Sequence, residues 1–242
     1  MQSIIRKTNG VTTVKKFLKY LIGLIILLGG VLVGILFFTH PSSPSQTPAI
    51  SQKGPSPAAQ TARQNVQGLN PDLDIKGALV YPNAHIYGPL VEGLTEENMH
   101  YGIAAFYPDE QTLGEGNYPV TSHNIDYFKK GVLLSPIVTE AKIGDLVYVT
   151  DLQNIYTFKV DFNETVPETR VDLVETNWDH PILTMMTCSK PVQPVHTRKI
   201  VQASLVDTVD FDHADEKILE LFQPSYNFYK FDHFQVSNSG DM

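Results

Sequence analysis

The segment from Tyr20 to Phe38, YLIGLIILLGGVLVGILFF, is 19 residues without a charge. As a helix rising about 1.5 Å per residue it approaches the ~30 Å hydrocarbon thickness of a bilayer. It therefore divides the chain into a part before it and a part after it. Five bases, Arg6, Lys7, Lys15, Lys16 and Lys19, precede the run, and the next base is Lys53. That asymmetry predicts a cytoplasmic N-terminus and an extracellular remainder. A cleaved signal peptide would have a shorter apolar core, roughly 7–15 residues, ending in small residues. Here the run ends Phe37-Phe38-Thr39-His40-Pro41, a poor cleavage site. An uncleaved membrane anchor over residues 20–38, behind a basic cytoplasmic segment 1–19, is the expectation.

Charge follows the same division. Residues 1–67 hold seven bases and no acid, whereas residues 68–242 carry a net −15. An acidic outer part lacks the basic footprint that nucleic acid requires, so no nucleic-acid partner is expected. Residues 39–68 are rich in Pro, Ser, Gln and Ala with almost no large apolar side chain. That composition predicts a flexible extracellular linker, the alternative being a few turns of poorly hydrophobic helix around Ala58–Gln67. The remainder is long enough to bury a core without metal or disulfides. A single cysteine excludes an intrachain disulfide framework.

The outer domain reads as mainly β. Ala78–Tyr81, Asn117–Ser122, LVYVTD (146–151), IYTFKVDF (155–162), Ile182–Cys188 and Arg198–Val209 are β-rich runs separated by turn residues. The pair 146–151 and 155–162, joined by three residues, predicts a hairpin. Thr95-Glu96-Glu97 reads as a capped helix start, and Asp126–Leu134 as a second short helix. Many short strands at roughly 8–12-residue spacing point to a barrel or sandwich.

Chemistry is sought first at the lone cysteine, Cys188. Free cysteines are commonly buried small hydrophobes, but Ser189-Lys190-Pro191 ends the strand here, leaving the thiol at an accessible rim. Lys190 or another cation nearby would lower its pKa below about 8.5. A nucleophilic cysteine needs a histidine in space. Of eight histidines, His123 ends the run Asn117–Ser122 much as Cys188 ends its own strand; a hydrogen-bonded rim residue is the alternative. Arg198, ten positions after Cys188, opens a strand where a fixed cation could meet a carbonyl or a developing oxyanion.

Together these residues form a pattern. Thr184-Met185-Met186-Thr187-Cys188 resembles the Thr-Leu-X-Thr-Cys motif of sortases, Thr197-Arg198-Lys199-Ile200-Val201 resembles their Arg-bearing strand, and Ser122-His123-Asn124 falls where their catalytic His lies. Met185 replaces the usual Leu, and Ser122 stands where many members carry Gly. The resemblance implies an eight-stranded sortase-type β-barrel over residues 69–209 with a few short helices, preceded by the transmembrane helix. It implies a cysteine transpeptidase that cuts a Leu-Pro-X-Thr-Gly signal between Thr and Gly through a thioacyl enzyme. Cys188 would be the nucleophile, His123 the acid and base, and Arg198 the oxyanion and substrate contact. The implied partners are surface proteins bearing that signal and a lipid-linked peptidoglycan precursor as amine acceptor, all at the membrane of a Gram-positive cell.

The N-terminal anchor, and the absence of an Asp-Pro-aromatic lid motif, make class A the best match within the family. Substrate contacts are expected from Thr187 and, in the loop from Val166 to Asp179, from Pro167 and Val171. Some class A enzymes bind calcium; Asp109, Glu110, Glu115 and Glu175 fall near such positions, but a solvated acidic loop is preferred and no metal or cofactor is expected. Residues 210–242 form a C-terminal extension. In it Ala214–Phe222 reads as an amphipathic helix with Ile218, Leu219 and Phe222 apolar, expected to pack on the barrel rather than act as a lid. An anchored cysteine hydrolase and a non-catalytic surface domain binding wall or peptide ligands are the alternatives.

Overall fold

The computed structural model describes residues 54–223 except 128, 129 and 193, with the backbone alone at 126, 127, 130 and 131. The expected anchor and cytoplasmic segment, and everything after residue 223, lie outside the described residues. Among those described, no helix is long and apolar enough to cross a membrane.

The described residues form ten strands, in most of which successive side chains face opposite sides of the sheet: β1 (Gly77–Tyr81), β2 (Ile86–Glu92), β3 (Ile103–Ala105), β4 (Asn117–Thr121), β5 (Ile125–Tyr127), β6 (Lys130–Val132), β7 (Leu146–Thr150), β8 (Asn154–Pro167), β9 (Ile182–Cys188) and β10 (Thr197–Asp210). Eight of them close a barrel in the order β1-β2-β3-β4-β9-β10-β8-β7, while β5 and β6 pair separately. Closure leaves the barrel sheet without an open edge. Leu79, Tyr81, Val120, Val149, Phe158, Leu183, Met185, Val201 and Ala203 point inward and fill one core. The expected hairpin is β7–β8, registered from Leu146 opposite Lys159 to Thr150 opposite Ile155.

Two of the barrel's pairings are parallel, and both matter for the site. The β2–β3 pair needs a crossover, which includes α2 (Glu96–Tyr101). Thr95 caps this helix, its hydroxyl accepting from the Asn98 amide at 3.1 Å, and Glu96 and Glu97 occupy the first turn, where carboxylates complement the helix dipole. The β4–β9 pair makes both strands end at one rim. Because β10 runs antiparallel to β9, it begins at that same rim.

Two readings are corrected. Part of the supposed linker is helical, as the alternative around Ala58–Gln67 allowed: α1 (Pro57–Gln67) is capped by Ser56, with Pro57 in its first turn, and buries Ala59, Ala62 and Val66. Those residues make a narrow apolar stripe at helical spacing. They cluster with Ala78 and Val80 of β1, Tyr87 of β2, and Phe211, Leu219 and Phe222. Tertiary packing outweighs the weak local tendency. The described part of the C-terminal segment is a 3₁₀ turn Phe211–His213, a short α3 (Glu216–Leu219) and a further turn Glu220–Phe222. Arg63 ties it to α1 through Asp212 at 2.6 Å and stacks over Phe211. The second correction concerns Asp126–Leu134, which is not a helix; it contains most of the β5–β6 hairpin. Gly131 weakens a helix there, and each arm is too short for a helical nucleus.

Candidate active site

The three residues singled out by chemistry meet at the rim where β4 and β9 end and β10 starts. Arg198 lies directly opposite Cys188 in the β9–β10 ladder, a position that brings Cβ atoms to about 4.5–5.5 Å. In β9, Leu183 and Met185 face the barrel interior, so Thr184, Met186 and Cys188 face outward by alternation. On β4, Thr121 is registered with Met186, which carries His123 to the level of Cys188 on the neighbouring strand. Three side-chain bonds continue the pairing past the strand ends. Thr121 Oγ1 donates to the Met186 carbonyl at 3.0 Å, Thr187 Oγ1 to the Ser122 carbonyl at 2.9 Å, and Asn124 Nδ2 to the Cys188 carbonyl at 2.7 Å. The His segment is thus stitched, through Ser122 and Asn124 on either side of His123, to Thr187 and Cys188.

His123 is also held from the crossover helix. Its amide donates to the Met99 carbonyl at 2.9 Å, its Nε2 pairs with Glu96 Oε2 at 2.9 Å, and its ring meets His100 edge-on at 6.2 Å between centroids. Arg198 is fixed from the other side. Nη1 donates to the carbonyls of Val195 at 2.8 Å and Thr197 at 3.2 Å, while Nη2 meets Glu168 Oε2 at 3.0 Å. The other Glu168 oxygen pairs with His196 Nδ1 at 2.9 Å. These two neighbours, His196 first and then Arg198, hold the Glu168 carboxyl below its usual pKa. Cys188 is a free thiol, partly exposed.

An apolar strip adjoins the thiol on the outer barrel face. Val166, Leu173 and Ile200 are buried there, with Phe162 and Met186 packed against them. Pro167 ends β8 opposite Thr197 and is exposed; Val171 opens the 3₁₀ turn Val171–Val174 and is 63% exposed. Both are therefore available to a ligand. Thr187 is 1% exposed, and its hydroxyl donates to the Ser122 carbonyl, so its side chain ties two strands. Asp109, Glu110, Glu115 and Glu175 do not converge, and among the described residues no group of three or more His, Cys, Asp or Glu is placed to hold a metal.

The sequence reading missed Glu96, Asn124 and Glu168. Asn124 directly follows His123 and was open to suspicion. Glu96 and Glu168 lie 27 and 30 residues from their partners, with no local pattern to reveal them.

The sortase domain family model matches residues 79–206, just over half of the chain. Sortase A of Streptococcus agalactiae serotype III (strain NEM316) is 30% identical over 166 residues, spanning 67% of this chain and 66% of that protein. Sortase A of Listeria monocytogenes serovar 1/2a is 32% identical over 125 residues, spanning 51% of this chain and 54% of that protein. The chain thus covers less than two thirds of the length of either relative. The crystal structure of Listeria monocytogenes sortase A superposes with a TM-score of 0.55 at 27% identity, over 61% of this chain and 97% of that one. The chain belongs to the sortase family and is similar to its class A members.

Proposed function

We propose that the protein is a membrane-anchored cysteine transpeptidase that cleaves a Leu-Pro-X-Thr-Gly sorting signal between Thr and Gly and passes the acyl group to a cell-wall precursor amine. The observation that carries this is the placement at one rim of His123, two residues past the end of β4, Cys188 at the end of the adjacent β9, and Arg198 registered opposite it in β10. The Cys188 sulfur attacks the Thr carbonyl carbon, and the carbonyl oxygen gains charge beside the Arg198 guanidinium, whose remaining N–H groups can donate to it. The C–N bond breaks as His123 gives its proton to the departing Gly amine, leaving a thioester on Cys188. An incoming amine then attacks the thioester and yields its proton to His123, and the C–S bond breaks to restore the thiolate. Water in place of the amine gives slower hydrolysis.

The exposed Pro167 and Val171 and the adjoining apolar strip suit the Leu-Pro end of such a signal. The uncharged run 20–38 with its preceding bases supports a single-pass anchor with the barrel outside the cell. An anchored enzyme shares one surface with exported substrates and a lipid-linked acceptor, which raises their effective concentration. The test is mass spectrometry of the full chain in detergent incubated with a signal peptide, with and without a glycine-type amine. The expected products are a thioester adduct on Cys188 and an amine-capped peptide, both abolished in Cys188→Ala. Hydrolysis that added amine does not divert would instead indicate a hydrolase. Activity surviving in Cys188→Ala would refute the mechanism.

A further inference from the structure

The loop between β8 and β9, residues 168–181, is held on the barrel by polar side chains that neither the reaction nor the core requires. Asn117 at the start of β4 and Thr184 in β9 are fully buried, and Gln202 in β10 nearly so. Thr184 Oγ1 donates to Asn117 Oδ1 at 2.7 Å and accepts from Gln202 Nε2 at 3.0 Å. Asn117 Nδ2 donates to the loop carbonyls of Leu173 at 3.1 Å and Glu175 at 2.9 Å. Gln202 Nε2 reaches Leu173 again at 3.3 Å, and the Asn117 amide donates to Thr176 at 3.0 Å. Gly116 completes the seat. Its φ is +48°, and a Cβ there would lie 2.6 Å from the Thr176 carbonyl oxygen, so a side chain would push the loop off.

Two uncharged side chains, Asn117 and Gln202, thus hold the loop carbonyls of Leu173 and Glu175, and Thr184 braces both from within the barrel, accepting from one and donating to the other. Undocking would strand the buried Asn117 Nδ2 group and take one of the two acceptors from Gln202 Nε2, a costly outcome in a low-dielectric environment. The same docking seats Leu173 in the apolar strip and leaves Val171 facing solvent. We propose that Asn117, Thr184 and Gln202 form a clasp that fixes the 168–181 loop in its peptide-receiving conformation before substrate arrives, which makes them positioning residues for substrate binding. This rests on the transpeptidase reading above for the identity of the peptide, though not for the docking itself. A clasped loop contributes affinity because its ordering does not have to be supplied at binding.

The chain's single tryptophan, Trp178, lies in this loop, half-buried, with its carbonyl oxygen 3.5 Å from the Gly116 Cβ position. It reports docking without any substrate. The experiment compares acrylamide quenching of Trp178 in the full chain in detergent with steady-state kinetics on a Leu-Pro-X-Thr-Gly peptide, for parent, Thr184→Val and Asn117→Ala. The expected result is that quenching at least doubles and KM rises about tenfold, the order set by stranded buried polar groups. Meanwhile kcat and the rate of Cys188 alkylation by iodoacetamide should move less than about twofold. Thr184→Val keeps the side-chain shape and carries the test if Asn117→Ala does not fold. Unchanged quenching in a folded variant overturns the clasp, as does a rise in quenching with KM unmoved. If the parent fails to turn over the peptide, the transpeptidase reading falls while quenching still judges the clasp.

Discussion

Phe222 lies near the end of the described chain, far in sequence from every reacting residue, yet it is fully buried. Its ring meets Tyr87 edge-on at 6.5 Å and Phe211 at 6.2 Å between centroids. It shares a cluster with Ala59, Ala62 and Val66 of α1, and its carbonyl accepts from the Tyr87 hydroxyl at 3.0 Å. Phe222→Ala empties that site without touching the backbone bond. Truncating a buried Phe to Ala costs about 3–5 kcal/mol in lost transfer energy and residual cavity. For a folded unit of about 170 residues each kcal/mol shifts Tm by roughly 2–4 °C, so a fall of about 6–20 °C is expected. The assay is thermal unfolding followed by circular dichroism, paired with peptide turnover measured well below the transition. Turnover per folded molecule should stay within about twofold, because the cluster lies on β1 and β2 and not at the rim of β4, β9 and β10. A Tm shift below about 3 °C would refute the reading of this segment as integral core. A several-fold rise in turnover would show instead that it covers the site.

Replacing Arg198 by Lys keeps one charge but removes the fork that spans the Val195 and Thr197 carbonyls and Glu168. The expected loss is about 10²–10³-fold in kcat with unchanged Tm, and a loss under threefold would remove Arg198 from the oxyanion role. The buried tyrosines give a pH prediction. Burial pushes Tyr118 up to about 12 from 10 and raises Tyr81 and Tyr87 as well. A neutral phenol favoured in the folded state contributes stability that is fully present below the unfolded pKa near 10 and is lost as pH rises through the folded value. Urea midpoints should therefore hold up to about pH 10 and fall steeply between about 10 and 12. Tyrosinate absorbance should rise together with unfolding; gradual ionisation of every tyrosine near 10 in the folded state would contradict it.

Much of the barrel was legible because its signals are local. Strand Ile182–Cys188 is bounded as the alternation predicts, the β7–β8 hairpin follows from two β-rich runs across a short link, and the Thr95 cap sits where the sequence placed it. The failures share one cause. Residues 57–67 look like linker because their apolar stripe is only Ala, Ala and Val. The helix exists because that stripe meets Phe211, Leu219 and Phe222, about 150 residues away. The β5–β6 arms are too short for either period to be read, so pairing rather than propensity decided them.

By itself the sequence determined a long uncharged span, an acidic β-rich remainder, and a single thiol with a histidine before it and an arginine after it in a recognisable order. Residue type and spacing suffice for that, since nucleophile, proton carrier and cation are chemical identities. Tertiary structure alone decided that β4 and β9 run parallel, so that His123 and Cys188 end at one rim, and that β10 returns antiparallel to set Arg198 opposite the thiol. It also chose Glu96, Glu168 and Asn124 as the groups that hold them, and set the Thr187 hydroxyl as a tie between strands. Register and strand direction are properties of pairs of segments distant in sequence, and no local pattern encodes them.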